Sequence, residues 1–259
     1  MTDLPKYPRV ACLLIGDELL SGRTRDSNSH HLAQKLHERG LPLIEVRVVP
    51  DEEISIVKAL RSLKKRADIV FTSGGIGPTH DDITADAVAS ALQVQIGERE
   101  DAMAILRKHY AARGEDVTDA RRRMARIPDG AELIENGISG APGFSLKGVY
   151  VMAGVPAIFE DMLARVLPTL PEGPKETVYT VAGTIGESQI ADGLKDLQIA
   201  LKGLKIGSYP GPTGQGGQLS IVCSSHNPAT AEQAALAVKA LFSAQGVDAE
   251  ILEGRPRQS

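Results

Sequence analysis

The chain has 259 residues, 42% of them hydrophobic and 24% charged, with a net charge of −4. That is the composition of an ordinary globular protein, long enough for one main domain and a smaller companion, and it excludes disordered and fibrous classes. Both signs of charge are mixed along the chain without a broad basic field, so nucleic acid is not expected as a partner.

The opening MTDLPKYPRV lacks the apolar core of a secretion signal. The run VACLLI (10–15) that follows reads as a strand covered on both faces. It is far short of the ~20 apolar residues a bilayer requires, so no membrane partner and a cytoplasmic location are expected. Cys12 lies in this run and Cys223 in a distant one, which marks both as buried thiols. DSNSHHLAQKLHERG (26–40) reads as a helix with cap-type Asp26, Ser27 and Asn28, and with Gly40 as its stop; His30 and His31 are structural or solvated on it. LIEVRVVP is a second strand, and DEEISIVKALRSLKKR a helix buried through Ile54, Val57, Leu60 and Leu63. ADIVFT is the third strand. This β-α-β-α-β order predicts a doubly wound parallel sheet. Helices are expected over 82–92 and 98–113, with a shorter one through Arg121. The cluster Arg121, Arg122 and Arg123 is either a solvated face or an anion contact. AELIEN and LKGVYVMAG read as strands and VPAIFEDMLARVL as a helix with Pro156 in its first turn. The proline-rich LPTLPEGPKE separates this domain (8–170) from a second (176–252). The second has β-α-β-β-α order, and a strand near 248–252 completes a ferredoxin-like α+β arrangement. Its glycine-rich YPGPTGQGGQ (209–218) is a hairpin loop, a lid or a dimer contact, and the tail EGRPRQS is frayed.

In a parallel sheet the loops after the strands gather at one edge, where ligands bind. Three such loops stand out: GDELLSGRTRDSN (16–28), SGGIGPTHDD (73–82) and AGVP (153–156). In the second, Gly74, Gly75 and Gly77 leave backbone N–H groups open before a helix start, which suits phosphate. The spacing is neither that of a P-loop nor that of a dinucleotide fingerprint. Asp81 and Asp82 would repel a phosphate unless a hard divalent ion such as Mg²⁺ intervened, with Asp17 and Glu18 supplying oxygens from the first loop. The competing structural roles are a helix cap for Asp82 and a solvated Asp81. Asn28 is an N-cap or a ligand contact, Thr79 a cap or a phosphate donor, and His80 a surface histidine or a proton carrier.

GDELLSGRTRDSN, TSGGIGPTHDDIT, ENGISGAPGF and AGVPAIFEDM together resemble the MoaB/Mog molybdopterin-binding family. The likeness is closer to the N-terminal domain of competence/damage-inducible protein A, a domain also fused to eukaryotic-type FAD synthases. The resemblance implies a three-layer α/β/α fold with a mixed, mostly parallel sheet. It places Asp17, Glu18, Asn28, Ser73, Gly74, Gly75, Gly77, Pro78, Thr79, Asp81, Asp82, Thr84, Gly154 and Pro156 around the ligand. Ile76 stands where leucine is usual, and Ala153 replaces a common proline. The wider family binds molybdopterin; the damage-inducible subgroup resembles metal-dependent pyrophosphatases of ADP-ribose and related dinucleotides. No deamidase or FAD synthase segment follows in this sequence, so those activities are not carried over. The leading expectation is a pyrophosphatase using a divalent metal on Asp17, Asp81 and Asp82, with a carboxylate or His80 as proton acceptor. The alternatives are a molybdopterin-binding protein or adenylyltransferase and a non-catalytic ligand-binding module. A homo-oligomer, dimer or trimer, is implied.

Overall fold

The computed structural model describes residues 7–211 and 217–254. The chain divides into a unit ending at Gly173 and a unit starting at Pro174.

The first unit is built on strands β1 (Val10–Ile15), β2 (Leu43–Val49), β3 (Ile69–Ser73), β4 (Ile96–Glu98), β5 (Arg126–Pro128), β6 (Glu132–Ile134), β7 (Gly143–Leu146) and β8 (Val149–Met152). Its helices are α1 (Asp17–Leu20), α2 (Asn28–Glu38), α3 (Glu53–Lys64), α4 (Thr84–Leu92), α5 (Glu100–Ala111), α6 (Asp119–Arg122) and α7 (Pro156–Val166). The main sheet has the order β2-β1-β3-β8-β7-β6, parallel from β2 to β8 and antiparallel through β7 and β6. It is therefore mixed, as the resemblance implies, and not wholly parallel as the element order alone predicts. The reason lies in LKGVYVMAG, which is not one strand. Lys147 and Gly148 both take positive φ (49° and 76°) and fold β7 back onto β8 as a tight hairpin.

β1 lies between β2 and β3, and every one of its side chains is buried. Ala11, Leu13 and Ile15 pack with α3, α4 and α5, whereas Val10, Cys12 and Leu14 pack with α2 and α7. These two apolar layers make the α/β/α sandwich. The α3 stripe is Ile56, Ala59, Leu60 and Leu63. Ile54 is 67% exposed; two residues before Ile56, it lies on the opposite side of a 3.6-residue turn. The helix expected from residue 98 starts at Glu100, because β4 pairs with β5 first.

The second unit contains β9 (Thr177–Thr184), α8 (Ala191–Ala200), β10 (Lys205–Pro210), β11 (Gln218–Ser225), α9 (Pro228–Ala244) and β12 (Glu250–Glu253). Its antiparallel sheet runs β10-β11-β9-β12, the ferredoxin-like order. Its own core joins Val181, Ile221, Cys223, Val238 and Phe242. Both cysteines are buried and free. Part of the glycine-rich segment, residues 212–216, and the tail after Gly254 lie outside the described residues, as do the first six residues. No described helix is long and apolar enough to cross a membrane.

Candidate functional site

The carboxyl ends of β1, β3 and β8 meet at the loop after β3. Gly74 has φ 109°, and a Cβ there would run into the Ile15 carbonyl oxygen. Gly75 has φ 68°, and a Cβ there would run into the Thr84 hydroxyl. Only glycine allows the loop to lie this close to β1 and to the start of α4.

Three polar side chains expected around the ligand brace this loop from behind. Thr84 is fully buried and donates its hydroxyl to the Gly74 carbonyl at 2.9 Å. Asn28 is buried, and its amide donates to Ser73 Oγ at 2.8 Å and to the Gly154 carbonyl at 2.7 Å. Ser73 in turn donates to the Ala153 carbonyl at 3.3 Å. Asn28, Ser73 and Thr84 therefore fasten the strand ends together. Gly154 and Pro156 are exposed where β8 gives way to α7, and Pro156 is in the first turn of that helix.

The adjacent aspartates face different neighbours. Asp82 accepts from the Thr79 backbone N–H (2.8 Å) and hydroxyl (2.6 Å), so its carboxylate closes the Pro78–His80 turn. Residues 82 and 83 precede α4, which begins at Thr84 and not at Asp82 as expected. Asp81 is exposed, and the Thr79 hydroxyl beside it helps hold its carboxyl below the usual range. The His80 side chain is 99% exposed and only reaches Asp81, at 4.0 Å.

A residue outside the sequence-derived set joins this edge. Asp51, just beyond β2, accepts the Asp17 backbone N–H at 2.9 Å. Its carboxyl is pushed above the usual range, chiefly by burial and then by the negative charges of Glu18, Asp17 and Asp81; the bond from Asp17 only partly offsets this. The strand-end acids that bear on Asp51 are thus Asp17, Glu18 and Asp81, whereas the Asp82 carboxylate is taken up by Thr79. The expected metal trio of Asp17, Asp81 and Asp82 is not assembled, and no three acidic, histidine or cysteine side chains among the described residues form a ready ligand set. A signal for Asp51 is its place directly after a strand; read only as a helix-start acid, it is easily passed over.

Beside the glycine loop lies a small hollow, open to solvent and lined by Gly75, Gly77, Asp82, Arg123, Arg126 and Phe144 among others. Arg126 is ion-paired with Asp86, Arg122 with Glu98, and Arg121 with Glu115 beneath its stack on Tyr110. Arg123 has no carboxylate ion pair among the described residues; it reaches only the Asp82 carbonyl, at 3.5 Å. Among the described residues the basic cluster thus splits into ion-paired surface arginines and one guanidinium, that of Arg123, without a carboxylate partner.

The strand ends thus bring together a glycine loop ahead of a helix start, a set of acids and, among the described residues, one guanidinium without a carboxylate partner. Residues 11–172 match the family described as "Probable molybdopterin binding domain", and the chain belongs to it. Residues 176–250 match the "FAD synthase, middle domain". A protein of Pyrobaculum arsenaticum is 38% identical over 208 residues, 76% of this chain and 77% of that one. A CinA-like protein of Sulfurihydrogenibium sp. is 32% identical over 78% of this chain, which spans only 50% of that relative. Among solved structures, the CinA protein of Thermoplasma acidophilum, titled as of unknown function, is 32% identical with a TM-score of 0.59. The match covers 63% of this chain and 98% of that one.

Proposed function

We propose that this chain hydrolyses the phosphoanhydride of ADP-ribose or a related nucleotide diphosphate. The observation that supports this best is the hollow that the glycine loop shares with Arg123, which has no carboxylate ion pair among the described residues; Asp51, among the strand-end acids, has the raised proton affinity a proton acceptor needs. One phosphate seats against the Gly75–Gly77 backbone and Arg123, where N–H groups and guanidinium bear the charge that builds on its oxygens. Asp51 takes the proton of the attacking water as its oxygen bonds to phosphorus. The bridging P–O bond breaks, and the bridging oxygen leaves on the second phosphate. A carboxyl above the usual aspartate range is a better proton acceptor than an ordinary one, and His80 is too exposed to be fixed for the task.

The donor set fits a divalent ion that arrives with the substrate, because Mg²⁺ commonly takes one or two carboxylates plus phosphate oxygens. Asp17 and Asp81 would hold it, and it would neutralise the charge between the acids and the diphosphate.

The family's description favours a second reading, in which the same site holds the phosphate of a molybdopterin. Product analysis with ADP-ribose and Mg²⁺, beside calorimetry with molybdopterin, separates the two. AMP and ribose 5-phosphate in equal amounts are expected. Tight pterin binding without any turnover of a nucleotide diphosphate would reject the hydrolase.

A further inference from the structure

Arg123 and Arg126 line one hollow and are held in different ways. Arg123, in the short 3-10 turn before β5, reaches the Asp82 carbonyl at 3.5 Å. Arg126 opens β5 and pairs with Asp86 in the first turn of α4. Its Nε meets Asp86 Oδ2 at 3.4 Å and its Nη2 meets Oδ1, two parallel bonds between a fork and a carboxylate. The two side chains are 35% and 38% exposed. An ion pair so open to water contributes little to stability. Glu98, which also acts on Arg126 across the β4–β5 pairing, is itself bound by Arg122. Asp82, the other acid lining the hollow, is bound by Thr79. Asp86 is therefore what keeps Arg126 from an incoming anion. The two arginines lean on one stretch, at Asp82 and at Asp86, roughly one helical turn (about 5 Å) apart. Met124, Ile127 and Phe144, all buried, line the same hollow, and apolar walls strengthen an ion contact made against them.

Given the diphosphate substrate proposed above, we propose that Arg126 is the clamp for its second phosphate, and that Asp86 holds this clamp until the substrate displaces it. The first phosphate sits at Arg123 and the Gly75–Gly77 backbone, so the second extends along the start of α4 toward Arg126. A phosphate offers two oxygens to the guanidinium fork, as a carboxylate does, and carries more charge. The exchange keeps both bonds of Arg126, and the released Asp86 is already half in water. A single phosphate at the Arg123 seat leaves Arg126 on Asp86. The site therefore prefers a diphosphate to either monophosphate product, and the Arg126–Asp86 pair re-forms as the products leave. A structural cross-link between α4 and β5 behaves differently. It is weakened by loss of either partner, whereas a latch is released by loss of Asp86 and abolished by loss of Arg126.

Calorimetry on the full chain with Mg²⁺ tests the clamp, using imidodiphosphate, whose P–N–P bridge resists hydrolysis, beside inorganic phosphate. Circular dichroism checks folding. The wild type is expected to bind imidodiphosphate at least about tenfold more tightly than phosphate. Arg126→Gln should weaken imidodiphosphate about 10- to 100-fold and phosphate by less than about twofold. Asp86→Asn should strengthen imidodiphosphate about two- to fivefold, because the competitor for Arg126 is now neutral. Asp86→Asn combined with Arg126→Gln should match Arg126→Gln alone, since residue 86 then has nothing to hold back. Loss of affinity in both single variants, or a diphosphate preference that survives Arg126→Gln, would overturn the clamp. ADP-ribose turnover, measured beside these titrations, separates the clamp from the hydrolase. Turnover without the opposite shifts rejects the clamp alone; the opposite shifts without turnover support the clamp and reject the hydrolase alone.

Discussion

Asp51 is held where its charge is unwelcome. Folding raises its proton affinity, so this group favours the folded state fully below the ordinary aspartate pKa of about 3.9 and loses that contribution as pH rises through its raised folded value. Asp51→Asn keeps an oxygen for the Asp17 N–H and removes the charge. Its Tm should exceed that of the wild type at pH 7, and the gap should close as pH falls toward 4. The same substitution should lower kcat for ADP-ribose about 10²- to 10⁴-fold, the usual worth of a proton acceptor. A variant neither more stable nor slower would remove Asp51 from the mechanism. Arg123 poses the complementary test. Among the described residues it has no ion pair to lose, so Arg123→Gln should leave the melting curve almost unchanged while raising KM about 10- to 100-fold, as the loss of a charge-assisted hydrogen bond would. Isothermal titration with the product phosphates provides the binding half of that measurement.

At the scale of elements, the glycine loop and the hydrogen bonds beneath it form one built piece. Gly75→Ala introduces a Cβ at positive φ and against the Thr84 hydroxyl, so two costs act together. A loss of about 1–3 kcal/mol in chemical denaturation and a clear fall in ligand affinity are expected. The loop, the parallel core strands and most helices were legible because apolar periodicity and glycine placement act locally. What escaped has a long-range cause. Thr84, Asn28 and Ser73 carry the same residue types that touch ligands, and only the converging strand ends reveal that they face inward. Asp82 looked like a metal ligand because its pairing with Thr79 depends on a turn that composition does not encode. The β7–β8 hairpin was hidden because its turn uses a lysine at positive φ, where Asn or Asp before Gly is the usual signal.

Over the whole molecule, each unit owns a separate apolar core, the first on both faces of its mixed sheet and the second between its antiparallel sheet and helices. The glycine loop, Asp51 and Arg123 all belong to the first unit. A chain that ends at Gly173 should therefore unfold cooperatively and keep its affinity for nucleotide diphosphate, as measured by thermal shift with and without ligand. An unfolded truncation would show that the first core does not suffice alone.

The close seat of Gly74 has a further consequence. It lies against the end of β1, a Cβ on Gly154 would press on its Cα, and its own N–H bonds the last carbonyl of β8. Weight placed on this loop is borne at once by three strands far apart in the chain. Ligand binding should therefore slow deuterium uptake at the ends of β1, β3 and β8 together, and mass spectrometry of peptic fragments would register the three as a single cooperative block.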